Sequence, residues 1–347
     1  MDNIVITAVG DINLSRDIKD YIKKCKNDEY NNIFKYVKKY ISDSDISIGN
    51  LESIISDNTN NKLYNSGGPS FRAENKSIEA LKYSGLNTIN ISNNHSNDYG
   101  LIGINDTINI LEKNNFNIIG KKKEPYKIYN IDNCKIIVIG LSGLFKRLKN
   151  NDGIYVYNDS TKYLLEKLKK MCDLLIVTIH WGTEYKFINN NKQKNIAEIM
   201  IKNGVDIIIG HHPHVIQNME KIDIGNRSGY VFYSLGNFIF DSHYKKKGVR
   251  DTMILKIIIN KKTKKYKFEY LPCIIYPQLG FIPKPTINNF INKYPKKNTT
   301  KANNLFDKVF KYLECKNIII GGTYTINFKN IILYAIIIII FILYIKI

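Results

Sequence analysis

The hydrophobic and polar positions along the chain switch repeatedly between short β-rich runs and longer amphipathic stretches. Runs of branched apolar residues predict strands at residues 4–9, 46–48, 88–91, 135–140, 174–180, 207–210 and 231–234. Apolar positions three and four apart predict helices at residues 33–41, 76–83, 102–113, 163–171 and 195–202. Because strands that alternate with helices usually form a sheet covered by those helices, the pattern predicts an α/β fold.

The pattern changes after residue 252. Two alternating runs, 252–259 and 266–275, flank a lysine-rich turn and predict a β-hairpin. Residues 283–300 are rich in Pro, Asn and Lys, which is typical of a linker, and a short helix is expected near residues 305–315. The predicted organisation is therefore a domain over residues 1–280, a linker with a short helix over 281–329, and a hydrophobic tail over 330–347.

The tail contains an unbroken apolar run, residues 331–345, between Lys329 and Lys346. As a helix continued to Ile347 it would extend about 25 Å, slightly less than the ~30 Å hydrocarbon core of a bilayer. Flanking lysines can reach the interface, so the run favours a single-pass C-terminal membrane anchor over a buried core element. The chain begins in a predicted strand instead of a signal peptide, and a span this close to the C-terminus is expected to insert as a tail anchor after synthesis. We therefore expect the domain to face the cytoplasm.

The composition, 44% hydrophobic and 24% charged, is that of a globular protein and excludes a largely disordered chain. Lys and Arg outnumber Asp and Glu by 51 to 31, which gives a net charge of +20. This charge permits binding to nucleic acid, anionic lipid or an acidic polymer. However, the lysines are spread along the chain without a nucleic-acid-binding motif, so the pattern favours a solvated basic surface over a specific electrostatic role, and no specific nucleic-acid partner is expected.

Five of the predicted strands are followed at once by polar side chains that are able to bind a metal. They include carboxylates, amides and five of the six histidines: Asp11, Asn13, Glu52, Asn94, His95, His180, Glu184, His211, His212 and His214. Since ligands of open α/β sheets bind beyond the carboxyl ends of strands, the five loops are expected to converge. Each loop alone could be an ordinary turn or helix cap, whereas one site with two divalent metal ions (Mn, Fe or Zn) explains all five.

Pro213 separates His212 from His214. The fixed φ of proline disfavours a helix and predicts an extended segment here. Residues two apart in an extended segment face the same way, so both imidazoles are expected to face one metal cluster.

The ordered set of motifs resembles the CapA family, named for poly-γ-glutamate capsule synthesis proteins, within the calcineurin-like metallophosphatase superfamily. The resemblance extends from about residue 4 to residue 241. The motifs that carry it are GDINLSR at 10–16, NLE at 50–52, NNHSNDYG at 93–100, HWGTEY at 180–185, HPHV at 212–215 and SLGNF at 234–238.

The resemblance implies a four-layer αββα sandwich with two metals at the sheet edge. The implied ligands are Asp11 and His214 for one metal, Asn94, His180 and His212 for the other, and Glu52 as the bridge. It also implies that His95 protonates the leaving group, and it makes Asn13, Glu184 and Asn237 candidates to line the site.

Two positions depart from the superfamily pattern. Asn13 stands where relatives usually have a histidine, and Glu52 stands where they usually have an aspartate. We therefore expect the first metal to bind less tightly than in those relatives. Three other residues have open roles: Trp181 as cleft wall or outer support, Arg72 as anion binder or surface residue, and His211 as site residue or packing residue.

Two functional hypotheses from different classes follow. The first is a metal-dependent hydrolase or transferase that acts on an anionic polymer or phosphoester, with His95 as the general acid. The second is a non-catalytic accessory subunit with a degenerate metal site that binds polymer or polymer synthase subunits. Metal stoichiometry distinguishes the two hypotheses.

Overall fold

The structure, a computed structural model, describes residues 2–24, 32–59, 70–144, 153–241 and 243–286. These residues form two large β-sheets, one two-stranded sheet, six α-helices and two 3₁₀-helices, Asn75–Ser77 and Pro277–Leu279. The strands are β1 (Asn3–Ile12), β2 (Ile46–Leu51), β3 (Ile54–Ile55), β4 (Arg72–Ala73), β5 (Thr88–Asn90), β6 (Asn117–Ile119), β7 (Tyr126–Ile131), β8 (Cys134–Ser142), β9 (Leu174–His180), β10 (Ile207–His211), β11 (Met219–Ile224), β12 (Arg227–Phe232), β13 (Asn237–Ile239), β14 (Asp251–Asn260), β15 (Tyr266–Tyr276) and β16 (Ile282–Pro285). The helices are α1 (Arg16–Lys24), α2 (Lys38–Ile41), α3 (Ile78–Ser84), α4 (Gly100–Lys113), α5 (Thr161–Lys169) and α6 (Asn191–Lys202).

The first sheet has the order β16-β15-β14-β1-β2-β5-β6, and β13 pairs with the end of β1. Strands β1, β2, β5 and β6 are parallel, whereas β14 joins β1 antiparallel. Every residue of β2 is buried, as expected for a parallel strand that is covered on both faces. The carboxyl ends of the parallel strands consequently lie together at one edge.

The second sheet has the order β11-β12-β10-β9-β8-β7, with β8, β9, β10 and β12 parallel. Ile179 of β9 shares a buried cluster with Leu165 of α5 and Met200 of α6, so these helices cover one face. On the other face, the rings of Phe232 and Phe268 lie 5.0 Å apart between β12 and β15. Because strand side chains alternate between faces, the two sheets pack against each other through this second face.

The predicted mixed α/β class is confirmed. The predicted hairpin forms β14 and β15, but the sheet continues into β16, where the sequence predicted the start of a linker. The predicted helix over residues 33–41 is only α2 at its end, since residues 33–37 form turns. Helix α1 was not predicted, although Ile18, Tyr21 and Ile22 have the spacing of a buried helical face, because its nine residues are too few for a sustained pattern.

Most of the predicted linker, the short helix expected near residues 305–315 and the apolar run 331–345 lie outside the described residues. Within the ranges that are described, no helix is long and apolar enough to cross a membrane.

Candidate metal centre

The carboxyl edge of the first sheet supplies oxygen-bearing side chains. Asp11 lies near the end of β1, in register with Asn50 of β2, and both are fully buried. The Asn50 Nδ2 group donates a hydrogen bond to Asp11 Oδ1 at 2.8 Å. A Cβ at Gly10 would lie 2.0 Å from the carbonyl oxygen of Gly236, so only glycine lets β1 approach the β13 segment closely enough at this point.

The second sheet brings imidazoles to the same place. His180 ends β9 directly beside His211, which ends β10, and both rings are buried. His180 Nε2 lies 2.7 Å from Asn94 Oδ1 and 3.2 Å from His212 Nδ1. The oxygen of an amide and the nitrogens of two imidazoles therefore converge on one point, although they belong to three separate loops.

Glu52 lies at the middle of this arrangement. Its carboxylate is fully buried, and neither oxygen accepts a hydrogen bond from any residue that the structure describes. Oε1 lies 3.5 Å from His180 Nε2 and 3.9 Å from the Nε2 atoms of both His95 and His214. A buried carboxylate without hydrogen-bond partners is costly, and a bound cation would provide the missing partner.

Two sets of candidate ligands share Glu52. One set joins it to Asp11 and His180, and the other joins it to His212 and His214. A shared carboxylate fits a bridging position between two ions, which is the place that the family resemblance implies for it. The grouping by distance differs from the implied assignment, which paired Asp11 with His214 and His180 with His212.

The pKa values of the site favour a cation. Burial, followed by the charge of Asp11, raises the pKa of Glu52 well above its ordinary value, and the charge of Arg16 only partly opposes this rise. Burial also lowers the pKa values of His180 and His214, so their imidazoles are neutral and able to bind metal. The site thus combines neutral nitrogen ligands with a carboxylate whose ionised form needs nearby positive charge.

His211, whose role the sequence left open, lies against Asp11. Its Nδ1 is 3.2 Å from Asp11 Oδ1, but neither ring nitrogen makes a well-directed hydrogen bond within the described ranges. Burial alone would raise the pKa of Asp11, but the adjacent His211 imidazole outweighs burial and lowers this pKa well below its ordinary value. Asp11 is therefore held ionised, as a metal ligand must be.

The backbone between His212 and His214 is not extended, contrary to the prediction from Pro213. The strand β10 ends at His211, and both His212 (φ 95°) and His214 (φ 58°) adopt left-handed conformations. Two residues with positive φ, instead of the alternation of a strand, direct both rings toward Glu52. Such strained conformations in residues with a Cβ persist where surrounding contacts hold them, often at functional sites.

His95 lies at the rim of the centre with only slight exposure. Its Nδ1 is 2.8 Å from Asp98 Oδ2, and its ring stacks on Phe71 with centroids 3.9 Å apart. Asp98 Oδ2 also accepts the backbone N–H of Phe71 at 2.7 Å, so one carboxylate positions both rings. The imidazole is consequently oriented with Nε2 toward Glu52.

The three candidate lining residues differ in their surroundings. Asn237 Oδ1 lies 2.8 Å from His214 Nδ1 and so orients that imidazole. Asn13 turns back on its own loop, where its Oδ1 accepts hydrogen bonds from the backbone N–H (2.9 Å) and hydroxyl (2.6 Å) of Ser15. Glu184 is near enough for its charge to raise the pKa values of Glu52 and His214.

Two residues with open roles are structural. Trp181 is buried in the core, where its Nε1 donates to the carbonyl of Tyr233 at 3.0 Å, so it forms no cleft wall. Arg72 donates from Nη1 to the carbonyl of Ser56 at 2.7 Å and thereby links β4 to the residue that follows β3. Two further residues of the site, Asn50 and Asp98, could not be recognised from the sequence, because their partners come from other strands or only from the folded turn.

Comparison with known proteins identifies the family. A family model described as "Bacterial capsule synthesis protein PGA_cap" matches residues 5–242, a range that contains the whole candidate metal centre described above. The chain belongs to this family. The predicted resemblance to the CapA family is therefore confirmed.

Two known proteins illustrate the relationship. The "Capsule biosynthesis protein CapA" of Bacillus anthracis is 29% identical over 262 residues, which cover 71% of this chain and 62% of that protein. The "PGA biosynthesis protein CapA" of Bacillus subtilis strain 168 is 31% identical over 291 residues, which cover 79% of this chain and 72% of that protein. The match thus covers less than two thirds of the length of the first relative.

Among solved structures, the chain is similar to a putative 5′-nucleotidase from Staphylococcus aureus in complex with α-ketoglutarate. The TM-score is 0.49 and the identity 14%, over 90% of this chain and 59% of that chain. At these values the likeness supports no conclusion about the site or its activity.

Proposed function

We propose that this CapA-family chain is a metal-dependent hydrolase or transferase that acts on an anionic polymer or a phosphoester through a centre of two divalent metal ions. The observation that carries the proposal is Glu52. Its carboxylate is fully buried without a hydrogen-bond partner in the described part of the chain, and it is common to both sets of candidate ligands.

The residues divide the work as follows. Asp11, Asn94 and the histidines of the second sheet would hold the ions, with Glu52 between them. When bound, such ions activate a water or hydroxyl nucleophile and neutralise charge on the reacting oxygen. His95, oriented by Asp98, would hold the proton that the leaving group requires at its Nε2 atom.

The proposal includes the four-layer αββα arrangement. Its support is the packing of the two sheets through the Phe232–Phe268 contact, together with the helices α5 and α6 on the far face of the second sheet. Helix α4 contacts β6 at the edge of the first sheet. The relatives named above act in capsule and PGA biosynthesis, which supports an anionic polymer as the substrate class.

A non-catalytic accessory role is the second candidate, and Asn13 favours it. The side-chain oxygen of Asn13 is occupied in its own turn, so the first motif contributes one fewer ligand than an Asp-x-His motif would. A chain with a single ion, or none, could still bind polymer or synthase subunits.

Elemental analysis of the protein purified under metal-replete conditions tests the proposal. We expect up to two transition-metal ions per chain and metal-dependent hydrolysis of a phosphoester or a γ-linked glutamate peptide. Metal without turnover on either substrate would favour the accessory role. If the chain contains no metal after purification under metal-replete conditions, the proposal that it is an enzyme is refuted.

A further inference from the structure

Arg16 ends the first motif and lies beside the candidate metal centre, and its backbone is unusual. Its φ of 51° is left-handed, a conformation that residues with a Cβ rarely adopt. The guanidinium is held by Asp241, whose Oδ1 accepts hydrogen bonds from Nε at 3.1 Å and from Nη2. Asp241 is almost fully buried, whereas one third of the Arg16 side chain is exposed.

An aromatic ring connects this guanidinium to the site. The Cζ atom of Arg16 lies 4.8 Å from the centroid of Phe71, and Phe71 itself stacks on His95. Contact with an aromatic face restricts the plane of the guanidinium without using its N–H groups. One ring therefore separates a fixed positive charge from the proposed general acid.

The ion pair with Asp241 does not use the whole guanidinium. Both of its hydrogen bonds go to one oxygen through Nε and Nη2, and Nη1 has no hydrogen-bond partner among the residues that the structure describes. A simple cap for α1 would not need this arrangement, because Asp241 Oδ2 already accepts the backbone N–H of Asp17 at 2.9 Å. The ion pair instead orients a partly exposed guanidinium whose Nη1 donors have no hydrogen-bond partner among the described residues.

We propose that Arg16 binds an oxyanion of the substrate, a carboxylate or a phosphate, next to His95 and so determines which substrates the site accepts. This inference rests on the proposed function and adds a residue outside the metal ligands. The guanidinium presents N–H donors in a fixed plane, which suits the paired oxygens of either group.

Binding measurements on the full, metal-loaded chain test this role without requiring turnover. The probes are inorganic phosphate and a γ-linked glutamate oligomer, titrated calorimetrically at about 0.15 M salt, where general surface attraction is screened. We expect Arg16→Gln to weaken binding of one probe by about 10-fold or more, because the variant loses a charge-assisted hydrogen bond. The probe that loses affinity identifies the oxyanion.

Arg16→Lys keeps a cation for Asp241 but lacks the planar donors, and we expect an intermediate loss of affinity. It also decides the question if Arg16→Gln does not fold. Metal content and melting temperature are measured for each variant, because a purely structural role would change the melting temperature and leave the affinity of the folded protein unaltered.

Lys246 provides a matched control. Its Nζ lies 3.8 Å from the ring centroid of Tyr185, which in turn lies near His214, but the lysine is exposed. We expect Lys246→Gln to change affinity by less than about 3-fold, as for a screened surface charge. Three outcomes would each overturn the inference. They are an equal loss of affinity in Lys246→Gln and Arg16→Gln, an unchanged affinity in both Arg16 variants, and a wild type that binds neither probe. If binding depends on Arg16 but the chain shows no turnover, the inference about Arg16 stands and only the proposal of catalytic activity is refuted.

Discussion

The two sides of the candidate metal centre are constructed differently. The oxygen edge consists of residues from the first sheet, namely Asp11, Asn50, Glu52 and Asn94. The imidazole edge consists of residues from the second sheet, namely His180, His211, His212 and His214. The oxygen edge begins in regular paired strands, where Asp11 and Asn50 are in register. The imidazole edge continues past its last strand into two left-handed residues.

This difference shows what each kind of ligand demands. A carboxylate or amide at a strand end reaches the site through the ordinary geometry of parallel strands, which align their carboxyl ends. An imidazole must direct one particular ring nitrogen, so its backbone has to be turned and its other nitrogen held. His214 shows both features, with a positive φ and an Asn237 oxygen 2.8 Å from its Nδ1.

The largest effect is expected from Glu52→Gln, because both ligand sets share this residue. We expect the variant to bind neither ion, with the affinity for metal reduced by more than about 100-fold. Elemental analysis checks the loss. Glu79→Gln, which changes an exposed glutamate on α3, is the control and should retain metal. Retention of both ions in Glu52→Gln would show that the two edges do not depend on a common bridge.

Changes on the imidazole edge should remove less metal. We expect His180→Ala and His212→Ala each to lose at least one ion while the chain stays folded, since each residue belongs to one ligand set. His243→Ala serves as the control, because His243 is exposed and belongs to neither set. Unchanged metal content in both His180 and His212 variants would remove the second sheet from the centre.

His95 separates binding from chemistry. We expect His95→Asn to keep its metal and to reduce turnover by about 10²–10⁴-fold, the usual contribution of a general acid. Asp98→Asn should lower turnover in the same direction by a smaller factor, because it removes only the hydrogen-bonding partner. If His95→Asn instead loses as much metal as His212→Ala, then His95 is a ligand.

The raised pKa of Glu52 predicts a pH dependence in the metal-free protein. Above the ordinary value of 4.5 the unfolded chain releases this proton while the folded chain retains it, so folding stability falls as the pH rises toward the folded pKa. The free energy of unfolding of the metal-free wild type should fall by up to about 1.4 kcal/mol per pH unit between pH 5 and 7, relative to that of metal-free Glu52→Gln. Histidine titrations largely cancel in this difference. Denaturant unfolding measures it, and a constant difference would show that Glu52 titrates normally.

The smallest effect on either edge is expected from removing the C-terminal apolar run. We expect a chain truncated after residue 316 to remain folded and metal-loaded, because every ligand lies between residues 11 and 214. The full chain should partition into membranes and resist alkaline extraction, as a spanning helix does. Unfolding of the truncated chain would place residues 331–345 in the core, and extraction of the full chain into the aqueous phase would exclude the anchor.

Much of the oxygen edge could be predicted from the sequence. The predicted strands 4–9 and 46–48 end shortly before Asp11 and Glu52, so both carboxylates were placed beyond strand ends. Asn50 escaped assignment because its partners, Asp11 and His180, come from other strands. Asp98 escaped because only the folded turn brings it to His95.

The imidazole edge was predicted for an incorrect reason. The alternation of His212 and His214 around Pro213 suggested an extended segment, yet the two residues face the site through left-handed conformations. Local sequence rules assign such φ values mainly to glycine, so a histidine in that region cannot be anticipated from propensity.

The sequence by itself determined which polar side chains stand at the ends of strands, because the period of the apolar residues sets where each strand begins and stops. Only the tertiary structure decided that Glu52 meets His180 from the other sheet, 128 positions away along the chain, at 3.5 Å. That contact depends on how two sheets pack face to face, which no local pattern specifies. The same packing removes water from the carboxylate, and this desolvation is the physical reason that a buried acid among neutral imidazoles favours a metal.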